Sequence, residues 1–212
     1  MFKAYVTNLG KYNEGELVGE WLDFPTTGEK IQETLKNIEI DGINYEEYFI
    51  TDYDSDIYGV TRELGEYENL RELNYLGERL EAVEYDSELD KFTATLAIGD
   101  CNSAKDLINL TYNLDNYSFI EGVTNEQELG ECYIEEMGFN SMLDKIRGEI
   151  PGLVSDYLNF DEEAIGTYII HSSECAFEND GFVERFGGDD IEHYGGISDL
   201  EPMDETYDLT ME

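Results

Sequence analysis

Residues 2–9, FKAYVTNL, alternate apolar and polar positions and are rich in β-branched and aromatic side chains. That pattern predicts a strand. GKYNEG follows and reads as a turn by its Gly and Asn; ELVGEWLDF reads as a second strand, stopped by Pro25. In TTGEKIQETLKNIEI, Ile31, Leu35 and Ile38 recur at helical spacing and predict a short amphipathic helix. INYEEYFITDYD returns to strand, with Tyr48 and Ile50 on one face. Residues 1–60 therefore predict a small antiparallel sheet with one helix.

The period changes over residues 61–114. Leu70, Leu73, Leu76, Leu80 and Val83 mark a helix in NLRELNYLGERLEAV. SELDKFTATLAIG and SAKDLINLTYNL read as further short helices, so this is a helical middle domain. Residues 115–186 read as a second α+β domain. NYSFIEGV is β-like, and NEQELGECYIEEMG is a helix with Leu129, Cys132, Tyr133 and Met137 on one face. FNSMLDKIRGEI and GLVSDYLNF read as helices separated by Pro151. GTYIIHS (166–172) and GFVERF (181–186) read as strands, with a turn at Asn179–Gly181. From residue 187 to 212 the chain holds nine acids and no Lys or Arg. That stretch predicts a flexible acidic tail. The fold class expected is α+β, in three domains plus the tail.

Charge changes this picture most. The 212 residues carry 51 Asp plus Glu against 12 Lys plus Arg, a formal charge of −39. Self-repulsion on that scale opposes a compact state. B-DNA carries one charge per ~1.7 Å of axis, so this charge equals that of roughly 20 base pairs, about 66 Å of duplex. A compact chain of this length would have a radius of gyration near ~17 Å. Presenting charge at duplex density would require an elongated molecule, and elongation would relieve the repulsion. Such a surface opposes direct binding to nucleic acid or to an anionic membrane. No apolar run approaches membrane-spanning length, and the N-terminus has no signal-peptide core. Cys101, Cys132 and Cys175 are scattered and odd in number, which fits a reducing cytosol better than a disulfide framework. The expected location is the cytoplasm.

TDYDSDIYG (51–59) carries the most pointed candidate chemistry. Asp52, Asp54 and Asp56 alternate like the opening of a calcium loop, with Glu63 at the twelfth position. An EF-hand needs Gly at its sixth position and an entering helix. Ile57 holds that position and the preceding segment reads as a strand. His171 and Cys175 offer half a zinc site, without a second pair at ligand spacing. No nucleophile elbow, phosphate-binding loop or dinucleotide fingerprint appears, and carboxylates are too common for any pair to signal acid–base catalysis. No enzyme and no cofactor are expected. A calcium-binding acidic protein is the alternative from another class, and a hydrolase with hidden carboxylates has least support. Halophilic adaptation explains the charge less well, because large apolar residues are abundant and Ala is scarce.

The acids make better sense as a surface. Glu46, Glu47, Asp52, Asp54, Asp56, Glu63, Glu66 and Glu68 meet only one base, Arg62, within residues 46–68. Glu128, Glu131 and Glu135 share one helix face, and Glu136 joins them. No Lys or Arg lies between Asp106 and Asp144. Like charges at i, i+4 cost a few tenths of a kcal/mol per pair, and an ordinary solvated helix mixes signs.

The opening residues carry a resemblance. YVTNLGKYNEGELVGEWLDFP (5–25) closely resembles the start of the ArdA antirestriction proteins, through Tyr5, Asn8, Leu9, Tyr12, Asn13, Gly15, Gly19, Trp21 and Pro25. YEEYFITDYD (45–54) is similar to the strand closing that family's first domain, and LRELNYLGERLE (70–81) to the start of its helical middle domain. CYIEEMG (132–138), DYLNFDEEAIG (156–166) and GFVERF (181–186) resemble its third domain. Residues 139–150 and the tail depart from the pattern. The resemblance implies a curved, elongated, three-domain homodimer joined through the third domain and encoded on mobile elements. It implies a mimic of B-DNA that occupies the DNA groove of type I restriction–modification enzymes. The acids above, with Glu72, Glu81, Glu84, Asp115, Glu121 and Glu126, are then stand-ins for phosphate oxygens, which Arg and Lys accept much as they accept phosphate.

Overall fold

Alternation places Phe2, Ala4 and Val6 of β1 (Phe2–Asn8) on a buried face, and β1 becomes the middle strand of a three-stranded sheet. The structure, a computed structural model, describes residues 2–85 and 88–200. β1 is flanked on both sides by antiparallel partners, β2 (Gly19–Phe24) and β3 (Tyr48–Ser55). The expected turn after β1 is instead one helical turn, α1 (Leu9–Asn13). Asn8 makes the difference: its side chain accepts from the Lys11 N–H as an N-cap while its amide donates to the Ile38 carbonyl. α2 (Gly28–Asn37) is capped by Thr27 and packs on β2. Asp41 then fixes the loop before β3, its Oδ1 accepting from the N–H groups of Ile43, Asn44 and Tyr45.

α3 (Leu70–Tyr85) has the expected stripe: Leu70, Leu73, Leu76, Leu80 and Val83 are all buried. At roughly 2 kcal/mol per side chain the stripe is worth about 10 kcal/mol as an upper figure. It packs with α4 (Leu89–Thr95) and α5 (Ala104–Tyr112), whose Phe92, Leu107 and Ile108 are fully enclosed. These helices join the N-terminal sheet rather than standing apart from it. The Leu70 N–H donates to the Tyr48 hydroxyl, and the Asn74 side chain accepts from the Thr26 N–H at 2.6 Å. One compact unit thus runs through residue 114 and takes in the segment from 189.

That segment corrects the expectation of a flexible tail from residue 187. Tyr194 is buried, and residues 191–194 are hydrogen-bonded along α5. Tyr194 is an aromatic anchor with a polar tip, the one large ring in a stretch otherwise polar enough to read as unstructured. The rest of the expected tail, 201–212, lies outside the described residues.

The second unit spans Asp115–Gly188. β4 (Tyr117–Glu121) leads to α6 (Glu126–Glu136), α7 (Phe139–Glu149) and the single turn α8 (Gly152–Ser155), shorter than the helix expected there. GTYIIHS, expected as a strand, is the body of a helix, α9 (Glu162–Ser172). Two causes outweigh the β propensity of its apolar run. Asp161 caps it and Glu162 and Glu163 fill its first turn, which suits a helix N-terminus. Gly166 also faces Gly130 of α6: a Cβ on Gly130 would overlap the Glu162 carbonyl oxygen, and one on Gly166 the Glu126 carbonyl oxygen. The two backbones therefore touch, as only small residues permit.

β5 (Cys175–Glu178) and β6 (Gly181–Arg185) form a hairpin, and β6 also pairs with β4. Its turn residues Asn179 and Asp180 both adopt positive φ, 53° and 55°, the geometry that matches strand twist. Val123, Leu129 and Phe182 form the core, with Ile169 and Ile170 of α9 packed against it.

Candidate functional site

β3, at the edge of its sheet, and the bend that follows it carry the first acidic group. Asp52, Asp54 and Asp56 are exposed, at the alternate positions the sequence predicted. Alternate residues of a strand stand ~6.6 Å apart, whereas one DNA strand carries a charge per ~3.4 Å of axis. β3 alone is therefore too sparse to imitate a duplex, and other elements must contribute. Asp54 also pairs with Lys3 across the sheet at 3.0 Å.

The calcium-loop geometry is missing. The segment is strand, then bend, then a 3-10 turn at Val60–Arg62, with Ile57 buried where the loop would need its sharp glycine turn. His171 lies near the end of α9 and Cys175 begins β5. Among the described residues no group of three or more His, Cys, Asp or Glu is placed to hold a metal ion.

The remaining expected acids divide by environment. Glu46, Glu47, Glu66, Glu81, Glu84, Asp115 and Glu121 are exposed, and Glu63 is half-buried. Glu68 is buried, and its Oε1 accepts from the Gly65 N–H. Burial raises its carboxyl above the usual range. It belongs to the fold, not to the surface. Glu72 is half-buried and accepts from the Tyr194 hydroxyl at 3.0 Å. Glu78, which the sequence reading passed over, is exposed on α3. Its i, i+3 relation to Glu81 was the available signal.

α6 carries the densest group. Glu126, Glu131, Glu135 and Glu136 are exposed, while Glu128 accepts from the N–H and hydroxyl of Thr124, which lowers its pKa. Glu126 and Glu128 suit the helix N-terminus. Glu135 and Glu136 sit in the last turn, where the macrodipole disfavours them, and no base offsets them. α3 likewise carries Glu84 in its last turn, without a basic residue there. Each misplacement costs about 0.3–1 kcal/mol, so helix stability does not explain these positions.

Most of the cations are engaged by groups of the chain itself. Lys11, Lys30, Lys91, Lys105, Arg147 and Arg185, like Lys3, each lie within 4.0 Å of a carboxylate, and the Arg79 guanidinium sits 3.8 Å from the Tyr112 ring centre. Twelve cations cannot neutralise fifty-one acids. What faces solvent is predominantly anionic on each unit taken by itself.

The family profile described as "Antirestriction protein (ArdA)" matches residues 4–184, from β1 into β6. The chain belongs to the ArdA family. Among curated proteins no match is found. All the candidate carboxylates, Glu46 through Glu136, fall inside the matched span, and the folded segment 189–200 falls beyond it. Membership in ArdA implies antirestriction function and interaction with restriction enzymes. No helix among the described residues is long and apolar enough to cross a membrane.

Proposed function

We propose that the protein inhibits type I restriction–modification enzymes by mimicking B-DNA in their DNA-binding groove, and so protects incoming mobile DNA in the host cytoplasm. One observation carries this reading: exposed carboxylates recur on β3, α3 and α6, including helix C-termini where they oppose the macrodipole. Carboxylates on several elements of each unit fit a partner that reads distributed charge and not a single pocket. A DNA groove holds Arg and Lys arranged to displace counterions on meeting an anion, so a carboxylate surface competes without any reaction. The net charge of −39 equals that of roughly 20 base pairs, and a homodimer would offer about 40.

The test is a competition titration. The protein is added to a type I methyltransferase core holding labelled duplex, at two salt concentrations. Displacement that weakens steeply as salt rises is the expected result. Inhibition independent of salt would overturn the mimicry.

A further inference from the structure

The segment that follows the second unit is bonded to the first. Residues 189–200, DDIEHYGGISDL, hold four carboxylates and no Lys or Arg. They are fastened to the α5 surface mainly through their backbone. The Asn113 side chain grips Ile191 from both sides, accepting from its N–H at 2.9 Å and donating to its carbonyl at 2.8 Å. One turn earlier, Asn109 accepts from the N–H groups of His193 and Tyr194 and donates to the Tyr194 carbonyl. The Tyr194 ring packs on Tyr75 of α3, and its hydroxyl reaches Glu72. This is a built docking groove for an extended strap, formed by asparagines four residues apart on one helix face.

The strap lies along helices that carry three cations. α3 carries Arg71 and Arg79 against four Glu, and α5 carries Lys105 against Asp106, a net charge of −2 for the two helices. The strap's Asp189, Asp190, Glu192 and Asp199 bring it to −6. Two of the cations are engaged by the strap itself: Lys105 meets Glu192 at 2.5 Å, and Arg71 donates to the Leu200 carbonyl. The strap therefore triples the net negative charge carried by α3 and α5 and adds it to the exposed Glu78, Glu81 and Glu84 of α3.

We propose that residues 189–200 are a docked acidic strap, positioned by Asn109 and Asn113, that adds its carboxylates to those of α3 in the anionic surface presented to the cationic groove of the partner enzyme. The inference rests on the proposed function. It assigns an interaction role to a segment beyond the span shared with the family.

The test uses the full chain and the same duplex-displacement assay over a salt series. In one variant, Asp189→Asn, Asp190→Asn, Glu192→Gln and Asp199→Asn together neutralise the strap. In the other, Asn109→Ala and Asn113→Ala release it with its acids intact, and faster amide exchange at His193 and Tyr194 confirms the release. Neutralisation should lower the slope of log affinity against log salt by about one to three and weaken binding roughly tenfold or more. Release should give a smaller loss in the same direction. If the unmodified chain displaces duplex and the neutralised variant matches it in affinity and slope, the strap inference is overturned alone. Full affinity in the released variant would overturn the positioning role of the asparagines. If the unmodified chain displaces no duplex, the mimicry reading fails first and the strap's role with it.

Discussion

Gly166→Ala is a severe test of the α6–α9 contact. A Cβ there meets the Glu126 carbonyl oxygen, a backbone atom that no side-chain rotation can move. Relief requires the two helices to separate and to loosen Leu129, Ile169 and Ile170 around Phe182. Overpacking of this kind costs about 3 kcal/mol, and the better helix propensity of Ala returns about 1 kcal/mol. The net loss is about 2 kcal/mol, which for a unit this small lowers Tm by roughly 8–16 °C. Thermal unfolding followed by far-UV circular dichroism reads the change. The single tryptophan, Trp21, lies in β2 and reports the first unit separately, so its transition should stay in place. Gly130→Ala should behave alike, and the double variant should cost less than the sum because both act on one contact. Gly148→Ala on α7 is the control: nothing lies within 4 Å of the added Cβ, so it should stabilise by about 0.5–1 kcal/mol. A Gly166→Ala protein as stable as the parent would refute the close helix contact.

Asn8→Ala removes the cap of α1 and leaves the Ile38 carbonyl without its donor, so urea unfolding should show a loss of about 2–3 kcal/mol. Thr34→Val should stabilise by about 1 kcal/mol in the same assay, because the buried Thr34 hydroxyl has no hydrogen-bond partner. The Asn44 amide and three backbone N–H groups hold the Asp41 carboxyl well below its ordinary range. Its contribution is present above the unfolded value of about 3.9 and fades as pH falls through the lower folded value. Asp41→Asn should therefore be less stable at neutral pH and show a shallower loss below about pH 4 in acid titration. Single acid-to-Ala changes at Glu131, Glu135 or Glu136 should each weaken duplex displacement only slightly, whereas reversing all three should weaken it strongly. A lone change that abolished displacement would point to a localised site instead.

Elements whose own sequence pays their way were legible. β1 and α3 bury a face set by simple periodicity, and residues Phe2 to Val6 and Leu70 to Val83 place themselves. The Asn179–Asp180 turn was legible for the same reason, as local chemistry. α9 was not, because Tyr168, Ile169 and Ile170 give a β-like run while the deciding contact, Gly166 on α6, is thirty-six residues away from Gly130. The Asp161 cap was a local signal that the apolar run obscured. Exposure of the acids followed from their number alone. The burial of Glu68 did not, since a carboxylate enclosed by its own loop looks in sequence like any neighbour.

The first unit is interrupted: its chain leaves at residue 114 and returns at 189. Synthesis on the ribosome therefore delivers the parts of this unit in two instalments. The intervening 74 residues take about 4–15 s at ~5–20 residues per second. During that interval Asn109 and Asn113 have no strap to bind, and the site for Tyr194 stands open. The inserted unit is contiguous, so it can finish folding before the one that began first. Newborn chains should accordingly be most open to proteases along α3 and α5, and translation stalled just short of residue 194 should prolong that exposure.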